Sequence, residues 1–162
     1  MENWRLLGSD FADAKNLVQI LYRATAKTFQ SPRIMRHLIY ALEGAGNYTD
    51  AERSLDAYIF IMENEKKTIA KVRREPRDLD DEEIMPDVDS DEDILRTVTA
   101  GIRLLVKYLN NGSKAMDLIH NLERNVKAWK VTSPDVLASI YHAIGIANSL
   151  WSIQSISIHL RK

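Results

Sequence analysis

The stretch that decides the fold is residues 46–60, "GNYTDAERSLDAYIF". The aromatic Tyr48 is followed by the small Ala51 and the large apolar Leu55, spaced as on one face of a helix. A small residue at Ala51 lets this helix lie close against a preceding one. Tyr48 then covers the turn, and Leu55 fills the groove further along. This order of side-chain sizes predicts the second helix of a helical hairpin.

Helical periodicity extends over most of the chain. Apolar residues recur three and four positions apart in five stripes. The stripes lie at residues 34–42, 51–62, 94–109, 115–129 and 136–144. Between them, "GAGN" at 44–47 and "NNGS" at 110–113 are typical of turns, while Ser31-Pro32 and Ser133-Pro134 match a helix cap followed by proline. The pattern predicts an all-α chain of antiparallel helix pairs.

The hairpin signature recurs along the chain. Gly112, Ala115 and Ile119 repeat the order seen after Gly46, which is typical of the tetratricopeptide repeat, a helix-turn-helix of about 34 residues. Ala51 and Ala115 lie 64 positions apart, so one repeat leaves about 30 residues, the length of the charged segment 64–93. We therefore predict a tetratricopeptide-like α-solenoid whose hairpins are separated by an insert.

Both ends of the chain carry further partial matches to the repeat. Trp4, Leu7, Gly8 and Phe11 follow the aromatic, aliphatic, small order of a first helix, with residues 16–29 as its partner; a single long helix from Asp10 to Phe29 is the alternative. Tyr141, Ile144 and Gly145 follow the same order. The residues predicted to pack the repeats are Trp4, Leu7, Gly8, Phe11, Leu38, Tyr48, Ala51, Leu55, Tyr58, Ala115, Ile119, Tyr141, Ile144 and Gly145.

The charged segment interrupts the helical pattern. Residues 78–93, "DLDDEEIMPDVDSDED", hold ten of the 23 acidic residues and no Lys or Arg, and residues 66–77 hold six basic residues. High charge and low apolar content predict a largely disordered insert over residues 64–93, with 75–93 fully disordered and the basic part partly continuing the preceding helix. Within it, Ser90 precedes Asp93 by three residues, a setting that acidophilic kinases favour; the alternative is a polar loop residue.

The insert and the chain's end define the predicted organisation. N-terminal helical repeats span residues 1–63, C-terminal repeats span 94–151, and an off-pattern tail spans 152–162. The tail alternates apolar and polar residues with period two, which favours an extended segment. With no second helix to follow it, the last helix should expose an apolar patch around Tyr141, Ile144 and Trp151, through which the chain self-associates or binds a partner.

The sequence favours no catalytic, cofactor or metal site. The four histidines never occur at the spacing of metal ligands, and cysteine is absent. Asp87, Asp89, Asp91 and Asp93 alternate as in a calcium loop, but Glu92 stands where that loop needs glycine. Without cysteines, a reducing cytosolic setting is expected, and no apolar run approaches the length of a membrane span. The basic block lacks the aromatic residues that would stack on nucleic-acid bases.

Two stretches carry a resemblance to a known family: "LYRATAKTFQSPRIMRHLIYALEGAGNYTDAERSLDAYIFI" (21–61) and "SPDVLASIYHAIGIANSLWS" (133–152). They resemble the fungal filamentation or cargo-transport protein family, which provides the tetratricopeptide scaffold of the plasma-membrane phosphatidylinositol 4-kinase complex. The resemblance covers roughly residues 17–151. Family members have many more repeats, so it implies that this chain is a fragment or a truncated form.

What the resemblance implies is a non-catalytic adaptor. Its partners would be a lipid kinase catalytic subunit and a peripheral membrane anchor protein, with roles in phosphoinositide supply, endocytosis and filamentation. The protein would be cytoplasmic and would reach the inner face of the plasma membrane only through those partners.

A generic tetratricopeptide adaptor of the chaperone type is the alternative. Many such repeats clamp acidic peptide tails with Lys, Arg and Asn side chains. The groove-facing candidates in this chain are Arg36, Asn47, Arg103 and Lys107. Solvated helix faces are the favoured interpretation of these four positions. Capture of a lipid kinase would favour the scaffold, and binding of an acidic C-terminal peptide would favour the alternative.

Overall fold

The computed structural model describes residues 11–28, 31–72 and 89–159. Helices dominate this part of the chain, and no strand occurs in it, so the predicted all-α helical-repeat fold is confirmed. The helices are α1 (Phe11–Thr25), α2 (Pro32–Gly44), α3 (Tyr48–Val72), α4 (Asp91–Lys107), α5 (Gly112–Trp129) and α6 (Pro134–His159). The chain divides into two compact units, Met1–Asp89 and Ser90–Lys162, called unit 1 and unit 2 below.

In unit 1, α2 packs against both α1 and α3. The Ser31 hydroxyl accepts from the Ile34 N–H at 3.5 Å and so caps α2. Gly46 has a φ of 71°, which glycine adopts at no steric cost, and the Asn47 N–H then donates to the Leu42 carbonyl at 2.9 Å. The buried apolar residues of this unit are Ala14, Leu21, Leu38, Ile39, Ala41, Leu42, Ala51, Leu55, Tyr58 and Met62.

In unit 2, α4, α5 and α6 pack against one another in all three pairs. The Asn111 side chain accepts from the Lys114 N–H at 3.2 Å and caps α5. The Arg103 guanidinium on α4 donates to Ser139 on α6, at 3.1 Å to its carbonyl and 2.8 Å to its hydroxyl. The buried apolar residues are Ile94, Leu95, Ile102, Leu104, Leu105, Ala115, Leu118, Ile119, Leu122, Val136, Ile140, Ala143 and Ala147.

Helices extend into the charged insert from both ends. α3 continues to Val72, which confirms that the basic part extends the preceding helix as far as that residue. α4 begins at Asp91, so the prediction of disorder is wrong for the end of the acidic run. Ser90 caps this helix, and carboxylates in the first turn are favoured by the positive end of the helix dipole. Residues 73–88 lie outside the described part.

Both chain ends also differ from expectation. The predicted extended tail is wrong, because α6 runs on through residues 152–159. There the Gln154 side-chain amide donates to the Asn110 carbonyl at 2.8 Å, which ties the end of α6 to the α4–α5 turn. Near the other end, α1 is continuous from Phe11 to Thr25. This favours the single-helix alternative over a hairpin broken before residue 16.

Candidate functional site

Most of the predicted packing residues in unit 1 lie in its core. Leu38 on α2 is buried, and so are Ala51, Leu55 and Tyr58 on α3. Tyr48, at the start of α3, is half-buried. Trp4, Leu7, Gly8 and the side chain of Phe11 lie outside the described residues. Ala51 is thus enclosed within unit 1, and the close crossing of α2 and α3 at this residue stays a prediction.

In unit 2 the predicted packing residues are buried on α5 but not on α6. Ala115 and Ile119 are buried on α5. Gly145 is exposed, and a Cβ built on it would meet no atom within 4 Å, so it does not pack against a neighbouring helix of the described chain. The residues that α6 buries form its inner face, and they lie on a different stripe of the helix from the predicted packing residues. These residues are Val136, Ile140, Ala143 and Ala147.

The displaced stripe leaves a second apolar surface on α6, which we call the α6 outer stripe: Leu137, Tyr141, Ile144 and Trp151. Tyr141 is 67% exposed and Trp151 is 40% exposed, and the other two are half-buried. The predicted apolar patch is therefore confirmed. Beyond Trp151 a depression of about 630 Å³ opens against the α4–α5 turn, with Gln154 in its lining. Tyr141 and Trp151 are the large aromatic residues that are exposed in the described part of unit 2.

The composition of α6 is unusual for a surface helix. An 18-residue stretch within residues 134–157 has a mean hydropathy of 1.3. By length and composition this helix could cross a membrane, contrary to the sequence-based expectation. Core helices that are mostly buried pass the same test, but only 22% of this stretch is buried, on the inner face of α6 that packs against α4 and α5. This span contains a single residue of the types Asp, Glu, Lys and Arg, which is Asp135. The outer stripe is consequently an almost uncharged surface.

Unit 1 contains a buried carboxylate that the sequence did not reveal. Asp89 has a side chain that is only 3% exposed, and its Oδ1 lies 3.2 Å from Nη2 of Arg36 on α2. Its Oδ2 accepts a hydrogen bond of 2.9 Å from the Tyr58 hydroxyl on α3. Burial lowers the pKa of the adjacent His37 below its usual value, the Arg36 charge lowers it further, and Asp89 partly opposes them. No local pattern distinguishes Asp89 from the other carboxylates of the acidic run.

The four residues considered for a peptide clamp are held by contacts within their own units. Arg36 pairs with Asp89, and Asn47 donates to Asp50 at 2.7 Å. Arg103 binds Ser139, and the Lys107 ammonium lies 4.7 Å from the ring centre of Tyr108. Two of the four belong to each unit, so neither unit has the set of three or four convergent donors that the clamp would need.

A shallow groove in unit 1 is lined by residues of α1, α2 and α3. Its volume is about 490 Å³. The lining includes Tyr22, Met35, Leu38, Arg53 and Ile61. Partial burial raises the pKa of Tyr22, the Asp50 charge adds to this, and Arg53 opposes it. The groove is mainly apolar, with the Arg53–Asp50 ion pair of 3.1 Å close by.

Ser90, the predicted phosphorylation site, acts as a helix cap. It is exposed, its hydroxyl accepts from the Asp93 N–H at 3.1 Å, and it donates to an Asp93 carboxylate oxygen at 2.8 Å. Its phosphorylation stays a prediction. Among the described residues, no group of three or more His, Asp or Glu is placed to hold a metal ion.

Comparison with known proteins gives one distant relative. The chain is 22% identical over 148 residues to a curated protein of Schizosaccharomyces pombe, "Putative cargo-transport protein ypp1". The matched region is 91% of this chain but only 17% of the relative, so the chain spans about a sixth of its length. No protein-family model matches the chain, and no solved structure matches it. The identity over most of the chain supports a distant relation to a cargo-transport protein.

Proposed function

We propose that this chain is a non-catalytic helical-repeat scaffold that helps to assemble or recruit a phosphatidylinositol 4-kinase complex at the inner face of the plasma membrane. The observation that carries the proposal is the α6 outer stripe, an uncharged apolar surface with Tyr141 67% exposed at its centre. Exposed aromatic residues of this kind are typical of protein contact surfaces. The distant relation to a cargo-transport protein supports an adaptor role.

In this proposal the stripe binds a protein and membrane contact is indirect. Aromatic residues near the centre of an interface contribute most of its binding energy when they become fully buried. Tyr141 and Trp151 are large enough to provide such anchors, and Leu137 and Ile144 lie beside them on the same helix face. The proposed partners are the lipid kinase catalytic subunit and a peripheral membrane anchor protein.

The test is co-purification from cells. Tagged wild-type chain is compared with a Tyr141→Glu, Trp151→Glu double variant, and the eluates are probed for the phosphatidylinositol 4-kinase catalytic subunit. The control is His142→Glu, Ser149→Glu, which adds the same charge to exposed polar positions of the same helix. We expect the kinase with the wild type and the control but not with the stripe variant. Absence of kinase from the wild-type eluate, or its full retention by the stripe variant, would contradict the proposal.

A further inference from the structure

The pocket that holds Asp89 is built by the α2–α3 hairpin, and its occupant comes from outside that hairpin. Arg36 lies on α2 and Tyr58 on α3, whereas Asp89 lies in non-helical chain at the end of the charged insert, 31 residues after Tyr58. Both carboxylate oxygens of Asp89 are engaged, one by each residue. The hairpin therefore presents a cation and a hydroxyl donor to a carboxylate that belongs to the charged insert.

The pocket favours a carboxylate as its occupant. The Arg36 side chain is 17% exposed and carries a guanidinium cation. Leaving such a cation buried without an anion is strongly unfavourable, whereas the complete buried pair contributes little net stability because desolvation offsets the attraction. Replacing one carboxylate by another thus costs far less than emptying the pocket.

The surroundings favour an acidic peptide as the replacement. Arg33 lies one helical turn before Arg36 and is exposed, and its charge acts on the same region as that of Arg36. The present occupant is itself flanked by acidic residues, in "DVDSDED" at 87–93. Because Asp89 is not part of a helix, its release requires no helix to unwind.

We propose that Arg36 and Tyr58 form a carboxylate-recognition site for acidic peptide segments, and that Asp89 fills it as an internal ligand which an acidic segment of a partner protein can replace. This site lies in unit 1 and does not rest on the proposed function, which concerns the α6 outer stripe. An internal ligand lowers the apparent affinity for an external one, because that affinity is the intrinsic affinity multiplied by the fraction of time the site is free. Removing the Asp89 carboxylate should therefore expose the site.

The test is fluorescence anisotropy with a labelled peptide of residues 84–93, "IMPDVDSDED", at physiological ionic strength, where weak surface attraction is screened. The full chain is used as wild type, Asp89→Ala, Asp89→Ala with Arg36→Gln, and Glu92→Ala. The last removes the same charge from an exposed position nearby. A second peptide carries Asn in place of its central Asp89.

We expect Asp89→Ala to bind the peptide at least about 10-fold more tightly than the wild type does. Glu92→Ala should behave as the wild type, and both the added Arg36→Gln change and the Asn peptide should abolish binding. Equal binding by wild type and Asp89→Ala, or binding that survives Arg36→Gln, would overturn the proposal.

A second variant, Asp89→Asn, keeps the proposal testable if Asp89→Ala does not fold. Asp89→Asn keeps the side-chain volume and an acceptor for the Tyr58 hydroxyl but removes the charge. A ligand that binds only the folded state raises the melting temperature, so the peptide should raise that of Asp89→Asn and leave that of the wild type nearly unchanged. No rise in Asp89→Asn at saturating peptide would equally overturn the proposal.

Discussion

Ala51→Leu tests the close approach of α2 and α3 on which the hairpin depends. Ala51 is fully buried, in a unit whose other fully enclosed side chains include Leu55 and Tyr58. The substitution adds three carbon atoms at a position with no access to solvent, so the backbones must separate or neighbouring side chains must leave their preferred rotamers. Overpacking of this kind costs about 1–3 kcal/mol. For a unit of this size, each kcal/mol lowers the melting temperature by about 4–8 °C.

The assay is urea unfolding followed by circular dichroism, together with a thermal scan. Ala128→Leu is the matched control, because it makes the same change at an exposed position of α5 and should alter the free energy of unfolding by no more than about 0.5 kcal/mol. Ala115→Leu, at the equivalent buried position of unit 2, should resemble Ala51→Leu. Equal stabilities of Ala51→Leu and Ala128→Leu would refute the repeat register.

Three further predictions concern single positions. Gly145→Ala should raise the free energy of unfolding by about 0.5–1 kcal/mol, because its Cβ would meet open space within a helix. Gly112→Ala should raise it by less, because its Cβ would displace the end of the Gln154 side chain, which donates to the Asn110 carbonyl. Urea unfolding of both variants decides this, and a destabilised Gly145→Ala would be contrary. Ser90→Ala should lower the free energy of unfolding by about 1 kcal/mol through loss of the α4 cap. Ser90→Asp should lower it by much less, because Asp also caps helices. Equal stability of Ser90→Ala and wild type in urea unfolding would rule out the cap. The pKa of His37 is lowered in the fold, so the unfolded chain binds protons more readily, and the free energy of unfolding should fall as the pH drops through about 6.5. His37→Gln should weaken this pH dependence. A His37→Gln chain with the same pH profile as the wild type would exclude His37 as its source.

The sequence predicts the α2–α3 hairpin well because its signals agree with one another. A glycine turn, a small residue and two large apolar residues at helical spacing all indicate the same geometry, and Gly46, Ala51 and Leu55 occupy the places this requires. Strong amphipathic periodicity likewise identifies α4 and α5. These features depend on residues close together in the chain, which a local pattern can capture.

The stripe that α6 buries could not be read from the sequence. Two apolar stripes run side by side along this helix, one through Val136 and Ile140 and the other through Leu137 and Tyr141. Periodicity alone does not distinguish them, because both have the spacing of a packed face. The structure buries the stripe with Ala143 and Ala147, whose small side chains permit close approach to α4 and α5.

The buried carboxylate was missed for a different reason. A run of ten carboxylates reads as solvated chain, and the residues that bind Asp89 are distant in sequence. The same acidic composition concealed the start of α4, where Ser90 and the carboxylates after it stabilise a helix N-terminus. In both cases tertiary or capping interactions outweigh the local preference for disorder.

The most direct test of the scaffold account is equilibrium binding of the purified chain to a purified phosphatidylinositol 4-kinase catalytic subunit, measured by titration calorimetry. The account predicts that the wild type binds and that Tyr141→Glu with Trp151→Glu weakens binding by at least about 100-fold, since buried aromatic anchors contribute about 2 kcal/mol or more each. The His142→Glu, Ser149→Glu control should bind as the wild type does. No heat of binding from the wild type at high concentration, or equal affinities of the wild type and the stripe variant, would contradict the account.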